Sequence, residues 1–138
     1  MYNYKKQELC FYGTIIYLIT GLGYFYYLNS IINCACVDVS NIKEIKKYFM
    51  IAFGCYLLNC MEINNSLINN ICSILMIYSN FMFVYNVRLL LNQIYGDNCK
   101  CANTNITSII YVLNTLSIIM YIHFFIILVL LILSFSSA

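Results

Sequence analysis

"YGDNCKCANTN", residues 95–105, is one of the few polar stretches in an otherwise apolar chain, and a similar phrase, "NCACVDVSN" (33–41), lies upstream. Each carries two cysteines one residue apart, and each is flanked by long apolar segments. Of the 138 residues, 63% are hydrophobic and only 9% charged, with a mean hydropathy of +0.82. A soluble domain is typically about 25% charged, so water cannot be the solvent on all sides of this chain. The two polar phrases therefore read as loops between segments that lie in lipid.

A helix that crosses a bilayer needs about 20 predominantly apolar residues. Working outward from the phrases, four segments qualify. The first is 10–32, preceded by Lys5 and Lys6. Its length, and the lack of a small-residue cleavage signal after it, point to a retained span and not a signal peptide. The second, 48–63, is short, and snorkelling by Lys46 and Lys47 is needed for it to cross. The third is 67–91, interrupted by several asparagines and Arg88; the fourth, 108–133, is the most apolar. Backbone groups in lipid must be paired within their own segment, and the alternating strands of a barrel are absent, so the spans are expected to be helices. The expected fold is all-α: a polytopic four-helix transmembrane protein made of two tandem helical hairpins. The first hairpin is 1–66, with loop 33–47; the second is 67–138, with loop 95–107.

The hairpins read as a duplication. "LNSIINCACVDVSNI" precedes the second span and "LNQIYGDNCKCANTNI" the fourth, and both run Leu-Asn, spacer, Asn-Cys-x-Cys, polar tract, Asn-Ile. Two hairpins in one orientation form a parallel repeat about an axis along the membrane normal. Four spans put both loops on one face. That face carries Lys43, Lys46, Lys47, Lys100 and Arg88 against Lys5 and Lys6 on the other, so the positive-inside rule expects cytosolic loops.

The candidate functional residues are the loop thiols Cys34, Cys36, Cys99 and Cys101. Three chemistries are open to them. They can structure the loops as disulfides or by packing. They can bind a metal, for which Cys-x-Cys is a tighter spacing than the usual two to four intervening residues and both loops would need to be extended. They can act as a redox pair, although thiol–quinone oxidoreductases with four membrane helices use Cys-x-x-Cys, which this chain lacks. The structural reading is preferred, with no metal and no cofactor. The other four cysteines fall in apolar segments, where Cys behaves as a small hydrophobe.

Several function classes are disfavoured. A net charge of +2 offers no concentrated basic face, so no nucleic-acid partner is expected. There is no phosphate loop, no Ser-His-Asp set, no HExxH and only one His, His123, so no enzyme is expected. His123 reads as a packed neutral side chain bonded to a Ser, Thr or Asn. Arg88 and Glu62, near span ends, read as snorkelling to water. Asn59, Asn69, Asn80, Asn86 and Asn114 can bond across helices, within the bundle or in a homo-oligomer. Gly13, Gly21 and Gly23 offer close-packing notches, and Tyr24, Tyr26 and Tyr27 an aromatic belt. The sequons at Asn64 and Asn105 hug the membrane and read as chance.

The paired Asn-Cys-x-Cys loops, at Cys34, Cys36, Cys99 and Cys101 with their neighbouring asparagines, resemble those of short polytopic membrane proteins of large nucleocytoplasmic DNA viruses. The resemblance covers mainly the two loops. It implies a structural role in the host-derived internal membrane of a virion, linking that membrane to capsid or scaffold proteins. It also implies viral thiol oxidation, which would permit disulfides on a cytosolic face where they are otherwise rare. Under such oxidation cross-loop pairing is expected, since closing Cys34 on Cys36 makes a small strained ring. The alternatives are a membrane thiol oxidoreductase and a small channel lined by the span asparagines.

Overall fold

The structure is a computed structural model that describes residues 2–61 and 65–136, with side chains over 5–61 and 65–135. The described residues form four α-helices and no strand: α1 (Tyr2–Ile31), α2 (Val39–Cys60), α3 (Ser66–Gly96) and α4 (Asn105–Ser136). The all-α expectation holds. Three of the helices are long and apolar enough to cross a membrane, over Lys5–Ile31, Ser66–Gly96 and Asn105–Phe135. Glu62 and the sequon residue Asn64 lie outside the described residues.

The helices run longer than the apolar spans, and the loops shrink to match. α2 begins at Val39, well before the apolar run at 48, because "VSNIKEIKK" is an amphipathic stretch of about two and a half turns: Ile42 and Ile45 are fully buried while Lys43 and Lys47 face out. Hydropathy detects the hydrocarbon-sized part of a helix and misses such an extension. Asp38 caps it, its carboxylate accepting the Ser40 amide at 2.8 Å. Asn65, from the first sequon, caps α3 in the same way, accepting from the Leu67 and Ile68 amides.

α2 packs most extensively on α3, and its buried stripe is Ile42, Ile45, Phe49, Ala52 and Cys55. The α1 notches are real at two of the three glycines. A Cβ on Gly21 would sit 2.7 Å from the Phe49 ring, and one on Gly13 would overlap the Tyr56 hydroxyl, which donates to the Cys10 carbonyl at 3.2 Å; Gly23 has open space. Phe49 in turn stacks among Tyr17, Phe25 and Phe83. Asparagines bond across the bundle: Asn80 donates to Tyr17 at 3.2 Å, Asn59 to Ser73 at 3.4 Å and Asn114 to the Val84 carbonyl at 2.9 Å. Asn86 instead bonds its own helix at Met82.

Two side chains differ from the sequence expectation. His123 is exposed, and its ring Nδ1–H donates to the Ile119 carbonyl one turn back, 2.9 Å away; the backbone supplied the acceptor, so no polar neighbour was needed. Arg88 does not reach outward. Its guanidinium lies over the Tyr111 ring at 4.7 Å and donates to Tyr111 and Thr115 of α4, both at 3.3 Å. The outer surface of the helices is largely apolar: along α4, residues 122–135 are all exposed, among them Phe124, Phe125, Leu130 and Phe135. A helix apolar all round needs an apolar environment on every side.

Candidate functional site

Both Asn-Cys-x-Cys phrases fold into tight turns at one end of the bundle. In the first, the Cys34 amide donates to Ile31 and the Val37 amide to the Cys34 carbonyl, both at 3.0 Å. In the second, the Ala102 amide donates to the Cys99 carbonyl at 3.1 Å, the same bond one repeat later. α3 is closed by the Cys99 amide reaching back to Ile94 at 2.9 Å, around Asn98 in the left-handed region at φ 48°. Asn tolerates that conformation better than most residues, which explains its place before Cys99.

The turns meet. Cys34 is bonded to Cys101 and Cys36 to Cys99, each pair with Cα atoms 6.0 Å apart, within the usual span of a disulfide. The four residues singled out from the sequence thus converge, and the pairing is across the loops. A two-fold axis that exchanges Cys34 with Cys99 and Cys36 with Cys101 carries one of these bonds onto the other. Burial follows the same repeat. Tyr27, Leu28 and Ile31 before the first pair match Leu90, Leu91 and Ile94 before the second; Val37, Ile42, Ile45 and Phe49 match Ala102, Thr107, Ile110 and Asn114 after it, and all are buried. The second copy carries two extra residues between these sets, the drift visible in the aligned phrases.

Beneath the clasp a buried hydroxyl ties the hairpins together. Thr107 Oγ1 donates to the Ala102 carbonyl at 2.5 Å, accepts from the Thr104 amide at 3.1 Å and lies 3.0 Å from the Tyr27 hydroxyl. Thr104 Oγ1 accepts the Thr107 amide at 3.4 Å, so Thr104 and Thr107 form a reciprocal cap at the start of α4. The sequence gives no direct sign of this site. Thr107 stood out only as the end of a sequon, and Tyr27 as one of an aromatic belt. Instead Tyr27 is fully buried and Tyr24 packs edge-on against Phe83, while Tyr26 alone of the three is exposed.

The knob's outer face is polar. The loop residues Ala35, Asp38, Asp97, Asn98 and Lys100 are exposed, and Lys46 donates to Asn29 Oδ1 at 2.7 Å. The Asp38 amide donates to Gln93 Oε1 at 3.4 Å, a further link between the hairpins. The Ser40 hydroxyl and amide hold the Asp38 carboxyl below the usual carboxylate range. Glu44, paired with Lys47 at 2.5 Å, raises the Lys47 ammonium.

A third disulfide, Cys10–Cys60, closes the first hairpin at its opposite end, with Cα atoms 5.8 Å apart. Cys55 and Cys72 are free, buried and adjacent across the α2–α3 contact. These four lie in the apolar segments. Two of them form a bond that composition alone assigned to packing. Comparison with protein-family models, curated proteins and solved structures finds no match for this chain.

Proposed function

We propose that this chain is a structural integral-membrane protein whose two clasped loops form a rigid knob for attaching a protein partner at one face of the bilayer. The observation that carries this reading is the covalent joining of Cys34 to Cys101 and Cys36 to Cys99, directly above the Thr107–Tyr27 bond. Loops tied to each other and to the bundle lose little freedom when a partner binds, so more of the contact energy appears as affinity. The exposed tips, Ala35 and Lys100, and the lysines beside them supply the contact surface.

The excess of Lys and Arg at the knob supports a cytosolic side for it. The resemblance to small membrane proteins of large DNA viruses supplies the partner class, a capsid or scaffold protein against a virion's internal membrane. The asparagines that a channel would need along its lining are engaged inside the bundle, at Tyr17, Ser73 and Val84. One observation favours the oxidoreductase reading: the Cys99 and Cys101 sulfurs lie 4.0 Å apart, so a thiolate freed by reduction of one disulfide lies within reach of the other.

A photo-crosslinking residue placed at Ala35 or Lys100 tests the proposal in native membranes. The structural reading expects a protein adduct of discrete mass from both positions and a lipid adduct from Met120. Absence of protein adducts, together with a cysteine pair that turns over between dithiol and disulfide when a quinone is added, overturns it in favour of the oxidoreductase.

A further inference from the structure

We infer that the knob has a second, reduced form in which Cys34, Cys36, Cys99 and Cys101 bind one zinc ion as a tetrathiolate. The sulfurs of Cys36, Cys99 and Cys101 lie within 4.8 Å of one another, and Cys34 is bonded to Cys101, so four sulfurs share one small volume. A tetrahedral zinc with Zn–S bonds of about 2.3 Å sets its sulfurs roughly 3.8 Å apart. Cys99 and Cys101, which are not bonded to each other, already stand at 4.0 Å. The short Cys-x-Cys spacing is therefore no obstacle, because both pairs lie in turns and not in helix, and Cys99 and Cys101 place their sulfurs on one side. Only the two bonded pairs must open. With Cα atoms 6.0 Å apart in each, side-chain rotation accommodates that without moving the turns.

The surroundings favour thiolate. α2 begins at Val39, soon after Cys36 and capped by the Asp38 carboxylate, and α4 at Asn105, soon after Cys101, so a helix N-terminus follows each ligand pair. Lys100 sits between two of the ligands in sequence. Together they offset part of the net double negative charge of a zinc tetrathiolate.

The exchange balances as follows. Two molecules of a dithiol reductant each give two electrons and two protons to one disulfide, becoming cyclic disulfides themselves and leaving four cysteine thiols. Zinc then displaces four protons to solvent as four Zn–S bonds form. Placing this exchange in the cytosol rests on the proposed orientation, since disulfides are rare there without a dedicated thiol oxidase; the metal chemistry itself does not. The knob keeps its shape in both redox states, with a metal replacing two covalent bonds.

The test uses the full-length protein in lipid nanodiscs, reduced with dithiothreitol, desalted without oxygen and titrated with zinc, then separately with cobalt(II) as a spectroscopic probe. The expected result is one metal per chain and the charge-transfer and ligand-field bands of a tetrahedral cobalt tetrathiolate. Cys36→Ser or Cys101→Ser should weaken binding by about 100-fold or more, while Cys10→Ser/Cys60→Ser and Cys55→Ser/Cys72→Ser should leave it unchanged. Since a ligand variant could fail to fold, the unmodified chain is also alkylated with and without zinc. Zinc should protect Cys34, Cys36, Cys99 and Cys101 and no other cysteine. Failure to take up metal, or protection confined to other cysteines, overturns the inference and leaves the crosslinking result for the attachment knob untouched.

Discussion

Thr107→Val isolates the bond that joins the hairpins beneath the clasp. Valine matches threonine in shape, so the change removes a hydroxyl and leaves no cavity. One group loses its partner, the Tyr27 hydroxyl; the Ala102 carbonyl and the Thr104 amide keep the bond they make to each other at 3.1 Å. Tyr27, at 1% exposure, cannot turn its hydroxyl to water. A buried polar group left without a partner costs about 1–3 kcal/mol, which sets the expected loss. Tyr27→Phe removes only the phenol and leaves Thr107 with its other bonds, so about 1 kcal/mol is expected. In the double variant no phenol is stranded, and the combined loss should fall short of the sum by about 1–2 kcal/mol. The assay is reversible unfolding in mixed micelles with all three disulfides intact, so that the unfolded state is equally constrained in every variant. Thr107→Ser serves as the control that keeps the oxygen. A Thr107→Val loss below about 0.5 kcal/mol, or additivity within about 0.3 kcal/mol, would refute the reasoning.

Gly21→Leu should destabilise the α1–α2 contact by about 1–3 kcal/mol, because the Phe49 ring fills the space and is itself held among Tyr17, Phe25 and Phe83. Gly23→Leu, which meets open space, should not; equal effects in the same unfolding assay would contradict the packing. Mass spectrometry of non-reduced fragments from oxidised protein should give Cys34–Cys101, Cys36–Cys99 and Cys10–Cys60, and a Cys34–Cys36 ring would exclude the cross-loop arrangement. Asp38 sets an acid limit on the first turn of α2. Its carboxyl is held low in the folded state by Ser40, so its contribution is complete above the ordinary carboxylate pKa of about 4 and is lost as pH falls through the lowered value. The Ser40 amide resonance should titrate with a midpoint below the ordinary one, and Asp38→Ala should abolish that titration.

The helices were legible because apolar run length is a direct consequence of burying backbone in lipid, and three of the four runs are unmistakable. The convergence of Cys34, Cys36, Cys99 and Cys101 was legible for a different reason: a repeated phrase in two hairpins of the same orientation returns to the same end of the bundle. Other features had no such signal. Cys10 and Cys60 are fifty residues apart and lie in apolar surroundings, where a bonded and a packed cysteine look alike. Thr107 and Tyr27 are eighty apart, and neither residue type marks a buried hydrogen bond. The amphipathic start of α2 was hidden because its lysines interrupt hydropathy while its isoleucines keep the helical period. Arg88 was misread because proximity to a span end suggests water, whereas Tyr111 offers both a ring face and a hydroxyl on the neighbouring helix.

The Cys10–Cys60 bond couples α2, whose apolar run is short, to α1. From Cys10 to the end of α1 at Ile31 the helix rises roughly 32 Å, about the thickness of a hydrocarbon core. α2 starts beside the clasp at one end and is bonded at Cys60 to Cys10 at the other. If α1 crosses the bilayer, α2 must cross as well, carrying its own interior polar groups across by pairing them with neighbours. If the pair crosses, the clasp and the Cys10–Cys60 bond lie at opposite faces, each open to its own compartment. In sealed, oriented vesicles an impermeant reductant on the knob side should therefore open Cys34–Cys101 and Cys36–Cys99 and leave Cys10–Cys60 intact, with the reverse outcome from the other side. Both sets opening from one side would mean that α1 and α2 do not cross together, because no bond as short as a disulfide can tie Cys60 to Cys10 through the thickness of a membrane.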